Sequence, residues 1–107
     1  AQMDTGSTVL GFASFALAKQ NLKKEFRAIN AKEPIVGCEI SFLTTDLKKS
    51  LNIALKAGAE LIAPAEDKPW GQTIAYLRDF NGILIELGTE MGCTSDQETS
   101  GHSCGCC

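Results

Sequence analysis

The stretch that decides the fold is residues 78–87, with the sequence RDFNGILIEL, a turn followed by an aliphatic run that contains one carboxylate. Asp79 and Asn81 hydrogen-bond their own backbone in turns, and Gly82 takes the positive φ that such turns require. The aliphatic run is typical of a strand buried on both faces. A carboxylate there is costly unless it is paired, hydrogen-bonded or bound to a cation. Glu86 is therefore either a functional residue or a sheet-end glutamate that reaches water or an arginine.

The residues before this turn predict two further strands. Residues 73–78 predict a strand that leads into the turn, and residues 59–63 predict an earlier one that Pro64 closes. Residues 66–69, with the sequence EDKP, predict a charged loop between them.

A strand and an amphipathic helix precede these elements. Residues 38–44 alternate as a strand does, with Ile40 and Phe42 on one face. The other face of this strand carries Glu39, Ser41 and Leu43. Thr45 or Asp46 then caps a helix. The helix has apolar residues at helical spacing and Gly58 at its carboxyl end, the apolar set being Leu47, Leu51, Ala54 and Leu55.

The alternation of the strands predicts a shared face for two carboxylates. If the aliphatic side of each strand packs against the helix, Glu39 and Glu86 both project from the opposite side of the sheet. Such a pair suits a hard or borderline divalent cation that keeps open positions for a substrate's oxygens. Without a metal, the two like charges repel, and one carboxyl tends to hold a proton.

Aromatic and polar residues near this face supply candidate ligand contacts. Trp70 either forms the wall of an apolar pocket or closes the open end of the core. Gln72 and Ser41 are the candidate polar contacts to a bound small molecule. A simple hairpin at the turn places Tyr76 opposite Ile85, which predicts a core position for the tyrosine.

The amino-terminal part is less regular. Residues 8–14 predict a strand, and residues 15–18 favour helix. Residues 19–29 fit either a short amphipathic helix or a solvated connection. Pro34 ends this segment, because proline disfavours helical geometry at the residue before it and removes a donor.

Composition narrows the possible partners. The chain has 107 residues, 44% of them hydrophobic, enough for one small domain with a real core. A net charge of −3 without any block of Lys or Arg argues against nucleic acid or an anionic membrane as partner. No apolar run approaches the roughly 20 residues of a membrane span, and residues 1–6 lack the features of a signal peptide. We therefore predict a cytoplasmic protein.

The carboxyl-terminal residues contain a second, separate group of candidate metal ligands. Residues 93–107 lose the apolar periodicity and have the composition of a disordered tail. The tail contains candidate ligands for zinc, copper(I) or a thiophilic metalloid, namely His102, Cys104, Cys106 and Cys107. Adjacent Cys106 and Cys107 cannot easily both serve one tetrahedral site. A non-functional extension and thiols that cross-link chains on oxidation are the alternatives.

Four motifs together resemble the glyoxalase, bleomycin-resistance and extradiol dioxygenase superfamily, also called the vicinal oxygen chelate fold. They are EISFLTTD at residues 39–46, AGAEL at 57–61, KPWGQ at 68–72 and YLRDFNGILIEL at 76–87. The resemblance implies an α+β fold built from paired βαβββ modules, each with a mixed sheet and one covering helix.

The resemblance also divides the chain. Residues 37–92 resemble a complete second module, and residues 1–36 resemble the last strand of a truncated first module with its linker. Residues 93–107 are the cysteine-rich tail. Either the chain is a fragment or shortened product, or two copies pair as a homodimer to complete the fold.

The family's metal ligands imply a partial site in this chain. Glu86 matches the last-strand glutamate, and Glu39 falls at the first-strand position where catalytic members often have His. Gly11 stands where the first module would supply another ligand. The implied metal is zinc, nickel, manganese or iron. The implied function is either metal-free binding of a small molecule or a metal-dependent lyase, isomerase or dioxygenase activity, and the residues leave open whether the chain is an enzyme.

Overall fold

The computed structural model of the chain describes residues 1–91. This part of the chain contains two helices and six strands. In chain order, the elements are β1 (Gln2–Asp4), β2 (Val9–Gly11), α1 (Phe15–Leu22), β3 (Glu39–Leu43), α2 (Leu47–Lys56), β4 (Glu60–Asp67), β5 (Thr73–Arg78) and β6 (Leu84–Gly88).

The last four strands form one mixed sheet in the order β3-β6-β5-β4. Strands β3 and β6 are parallel, while β6 with β5 and β5 with β4 are antiparallel. With α2 between β3 and β4, the chain order is βαβββ, which confirms the predicted α+β class with its mixed sheet.

Helix α2 covers one face of this sheet. Asp46 caps it by accepting a hydrogen bond from the Lys49 backbone N–H at 3.1 Å, and Gly58 has a φ of 106° beyond its carboxyl end. The core between helix and sheet has its most buried residues on three elements, namely Leu47, Ala75, Leu77 and Leu87. Residues packed against them include Phe42, Leu51, Ala54, Leu55 and Ile85. The apolar residues that helical spacing places on one side of α2 all pack in this core, together with residues that strand alternation places on the facing side of the sheet.

The turn before β6 has the geometry that its sequence predicts, with a different register. Asp79 Oδ1 accepts from the Asn81 and Ile83 backbone N–H groups at 3.0 and 2.8 Å, and Gly82 has a φ of 100°. The two strands then pair so that Tyr76 lies opposite Glu86. The predicted pairing of Tyr76 with Ile85 is therefore wrong by one residue, and a slip of one residue moves a side chain to the other face of the sheet.

Strand β4 is longer than predicted. It continues through Pro64 and includes Glu66 and Asp67, which the sequence assigned to a loop. The register between β4 and β5 shifts between Ala63 and Glu66. A proline is tolerated there because β4 is an edge strand, and the irregular pairing leaves no ladder bond for its missing N–H.

Arg78 joins the sheet to the segment that precedes it. Its guanidinium donates to the Asn30, Ala31 and Glu33 carbonyls at 3.0, 3.0 and 2.7 Å. Its Nε also donates to the Gly82 carbonyl at 3.1 Å. This one side chain is 93% shielded from solvent and fixes residues 30–33 against the turn.

The first 22 residues pack little against the sheet. Strands β1 and β2 form a two-stranded antiparallel sheet, of which only the second strand is predicted by the sequence. Helix α1 is confirmed from Phe15 onward but ends at Leu22, and it has no buried residue. Among residues 1–91, no helix has the length and apolar character needed to cross a membrane.

Candidate functional site on the open sheet face

The face of the sheet opposite α2 carries a row of polar side chains at its centre. Ser41 of β3 lies beside Glu86 of β6, which in turn lies opposite Tyr76 of β5. Glu39 stands two residues before Ser41 and therefore shares its face. The structure thus brings Glu39, Ser41 and Glu86 together on one surface, which we call the open face.

Tyr76 belongs to this surface, although the sequence assigned it to the core. Its hydroxyl donates to Glu86 Oε2 at 3.0 Å, and the pair is partly buried. The phenol of a half-buried tyrosine usually finds a hydrogen-bond partner, and Glu86 is the acceptor within reach. A strand tyrosine close in sequence to an isolated strand glutamate is the feature that suggests this pair. The length of the turn decides whether the two share a face.

The two carboxylates influence each other. The pKa of Glu39 is raised above 4.5, first by desolvation and then by the negative charge of Glu86 and a carboxyl–carboxyl hydrogen bond with it. A hydrogen bond from Ser41 Oγ at 3.4 Å acts in the opposite direction. The pKa of Tyr76 is also raised, mainly because its hydroxyl donates to Glu86. Negative charge is therefore concentrated at one spot of the open face.

Trp70 and Gln72 lie at one end of the open face. Trp70 Nε1 donates to Gln72 Oε1, and Gln72 Nε2 donates to the Thr89 carbonyl, both at 2.8 Å. The Gln72 amide crosses Gly88, where a Cβ atom would stand 3.1 Å from Gln72 Nε2. Trp70 remains 55% exposed and lies outside the hydrophobic core. The indole is therefore available to a ligand and is oriented by Gln72.

The open face supplies two of the ligands that a divalent cation needs. Glu39 and Glu86 supply hard carboxylate oxygens of the kind that magnesium, manganese and iron bind. Within residues 1–91, no group of three or more His, Cys, Asp or Glu residues is placed to hold a metal ion. Further ligands would have to come from water, from substrate or from a second chain.

The remaining positions considered for metal binding are Gly11 and the cysteine-rich tail. Gly11, the position at which a first module would supply a ligand, lies in β2. The tail candidates His102, Cys104, Cys106 and Cys107 lie outside the described residues.

Two solved structures are similar to part of this chain. No protein-family profile matches the chain, and no curated protein matches it significantly. A glyoxalase family protein from Bacillus cereus is similar at 28% identity with a TM-score of 0.48, over 55% of this chain and 40% of that one. TioX from Micromonospora sp. ML1 is similar at 25% identity with a TM-score of 0.44, over 56% of this chain and 53% of that one. The chain thus spans about half or less of the proteins it matches.

Proposed function

We propose that this chain is a glyoxalase-like module that binds a small molecule on its open face, with a divalent cation held by Glu39 and Glu86. The observation that carries the proposal is the placement of both carboxylates on the face that α2 leaves free. Both belong to a sheet with the βαβββ order that the resemblance implies.

A cation would offset the repulsion between the Glu39 and Glu86 carboxylates. Two carboxylates that repel each other in a partly desolvated site are stabilised when a positive charge lies between them. The Tyr76 hydroxyl donates to Glu86 Oε2 and so restrains the carboxylate that would hold the cation. Support of this kind from a neighbouring side chain orients a ligating group.

The remaining residues of the open face would bind and orient the ligand. A divalent ion would supply Lewis-acid polarisation of a ligand oxygen. The Ser41 oxygen can still accept a hydrogen bond, the second N–H of the Gln72 amide can still donate one, and the exposed indole of Trp70 offers an apolar wall. A mixed lining of this type is usual in small-molecule sites.

A second copy of the chain would complete the site. Strand β3 is an edge of the sheet, and Leu43 on the open side is 62% exposed. Free edges and exposed apolar residues are commonly covered by a partner. The partner would also provide ligands beyond the two carboxylates of one chain.

Native mass spectrometry of the intact chain with Mn²⁺ tests the proposal. Manganese is the probe because it prefers oxygen ligands over the thiols of the tail. We expect a dimer that retains Mn²⁺, and a Glu86→Gln dimer that does not. Glu60→Gln, which removes an exposed carboxylate from the edge strand β4, is the matched control and should retain the ion. A monomer without manganese would contradict both parts of the proposal.

A further inference from the structure

A second concave surface lies between the amino-terminal segment and the β5–β6 turn. It has a volume of about 500 Å³. Its apolar lining comes mainly from Phe12, Phe15, Phe26, Ile29 and Ile83. We call it the aromatic cleft. It shares no residue with the cluster of Glu39, Tyr76 and Glu86, so it is a separate candidate site.

The walls of the aromatic cleft are held by specific contacts. Ser14 caps α1 by accepting from the Leu17 backbone N–H at 3.1 Å, which sets the direction of the helix beside the cleft. The rings of Phe15 and Phe26 lie 5.9 Å apart at 57°, a favourable tilted pair. These contacts order the start of α1 and the Phe15–Phe26 pair on the amino-terminal side of the cleft.

The turn side of the cleft is anchored by close contacts with residues 30–33. A Cβ atom on Gly82 would come within 2.8 Å of the Ala31 backbone nitrogen, so the turn and residues 30–33 are in close contact. The hydrogen bonds of Arg78 hold the same two segments together. Asn81 and Ile83, which line the cleft, belong to this anchored turn.

Two of the rings that line the cleft remain more than half exposed to solvent in the folded chain. Phe12 is 52% exposed and Phe15 is 57% exposed. Exposed aromatic residues that converge on a concavity are typical of a binding surface, whereas single exposed apolar residues need no explanation. A flat apolar ligand would remove this ring surface from water.

The charge of the cleft favours one class of ligand. Arg27 is the one charged residue in the lining, and no carboxylate lines the cleft. Within residues 1–91 the only ion pair is that between Lys68 and Glu66, so Arg27 is not neutralised by a described acidic side chain. A guanidinium pairs with a carboxylate in a bidentate manner and also stacks on aromatic rings.

We infer that the aromatic cleft is a second binding site, which takes a small planar aromatic carboxylate with its rings against Phe12 and Phe15 and its anionic group on Arg27. The size of the cleft lies within the range of about 300 to 1,000 Å³ that is usual for small-molecule sites. The inference does not depend on a metal or on the open-face carboxylates.

A titration of the full-length protein with 2-naphthoate, followed by backbone amide NMR, tests the inference. We expect saturable shifts at the amides of Ala28, Asn81 and Ile83, with a Kd of about 1 mM or below, as ligands of this size generally reach. Arg27→Gln should weaken 2-naphthoate about tenfold, because one charge-assisted contact is lost. The exposed position of Arg27 means that this change leaves the fold intact.

Three comparisons make the result decisive. Lys24→Gln removes the same charge from an exposed position outside the cleft and should leave the affinity unchanged. The neutral 2-naphthamide should bind about tenfold more weakly than 2-naphthoate to the unaltered protein. Glu86→Gln should bind 2-naphthoate normally, which separates this site from the one proposed on the open face.

Results of two kinds would overturn the inference. One is the absence of saturable shifts at the cleft amides, or equal affinity for 2-naphthoate and 2-naphthamide. The other is a set of shifts at the same amides that depends on protein concentration and blocks 2-naphthoate, which would identify a second copy of the chain as the occupant.

Discussion

The two faces of the four-stranded sheet come from the same strands and have opposite properties. Alternate residues of β5 and β6 point to α2, and among them Leu77 is 1% exposed and Leu87 is 9% exposed. The residues between them point away and include Tyr76 and Glu86, which are hydrogen-bonded to each other. The face under α2 carries most of the buried apolar residues, whereas the open face concentrates negative charge at its centre and buries Ile74, which is 4% exposed, beside it.

This difference separates stability from function within single strands. The face under α2 supplies the hydrophobic stabilisation that lets the other face carry two repelling carboxylates. Substitutions on the covered face should therefore affect folding most, and substitutions on the open face should affect binding most.

The largest effect is expected for Leu77→Ala. This side chain is the largest fully buried one in the described part of the chain, and its truncation leaves a cavity under α2. We expect a loss of about 3 kcal/mol in the free energy of unfolding, measured by urea denaturation. Leu43→Ala on the open side is the control and, at a protein concentration where the chain is monomeric, should cost less than about 1 kcal/mol, since Leu43 is 62% exposed in one chain. Equal costs would remove the distinction between the faces.

A smaller loss is expected for Arg78→Gln. Arg78 is an exception on the open side, because its guanidinium serves four backbone carbonyls instead of a ligand. We expect a loss of about 2 kcal/mol and faster amide exchange at residues 30–33. Arg78→Lys should recover little of the lost stability, because a lysine ammonium lacks the planar set of N–H donors of a guanidinium. Unchanged exchange would show that the segment is held by other contacts.

Tyr76→Phe should have a modest effect on stability. The change removes one hydrogen bond to Glu86 and keeps the ring, so the expected loss is about 1 kcal/mol or less by urea denaturation. If Tyr76 also orients Glu86, the same variant binds Mn²⁺ more weakly than its stability change alone explains. A manganese affinity equal to that of the unaltered protein would restrict Tyr76 to a structural role.

The smallest effect is a shift in proton binding. In the metal-free protein, the pKa of Glu39 is raised above 4.5, so the folded state binds more protons than the unfolded chain just above that value. Charged Glu39 lowers the free energy of unfolding. This destabilisation is fully present above the pKa of Glu39 in the folded protein, and it decreases as the pH falls toward 4.5.

Side-chain NMR titration of the Glu39 carboxyl measures this shift. Glu86→Gln should lower the pKa of Glu39 but not restore it fully, because desolvation is the larger cause. A pKa of Glu39 that is the same in Glu86→Gln and in the unaltered protein would contradict the proximity of the two carboxylates.

The sequence predicts those parts of the fold that depend on local patterns. The cap at Asp46, the positive φ at Gly58 and the core face of α2 all follow from residue type and helical spacing. The shared face of Glu39 and Glu86 follows from alternation in two strands joined by parallel pairing. The helix features need no knowledge of distant contacts, whereas the shared face also requires both strands to turn their aliphatic side to α2.

The missed features depend on register and on long-range contacts. The face of Tyr76 depends on the exact length of the hairpin turn, which a one-residue error reverses. The role of Arg78 depends on carbonyls up to 48 residues away in the chain. The continuation of β4 through Pro64 depends on its being an edge strand, which the order of the sheet decides.

The most direct test of the account is urea denaturation of the Glu39→Gln, Glu86→Gln double variant beside the unaltered protein, with and without Mn²⁺ at one protein concentration. Without the ion, the double variant should be at least as stable at pH 7, because the repelling charges are gone. With the ion, only the unaltered protein should become more stable, because a ligand stabilises the state that binds it. A double variant that is less stable without the ion, or equally stabilised by it, would contradict the assignment of the open face to binding.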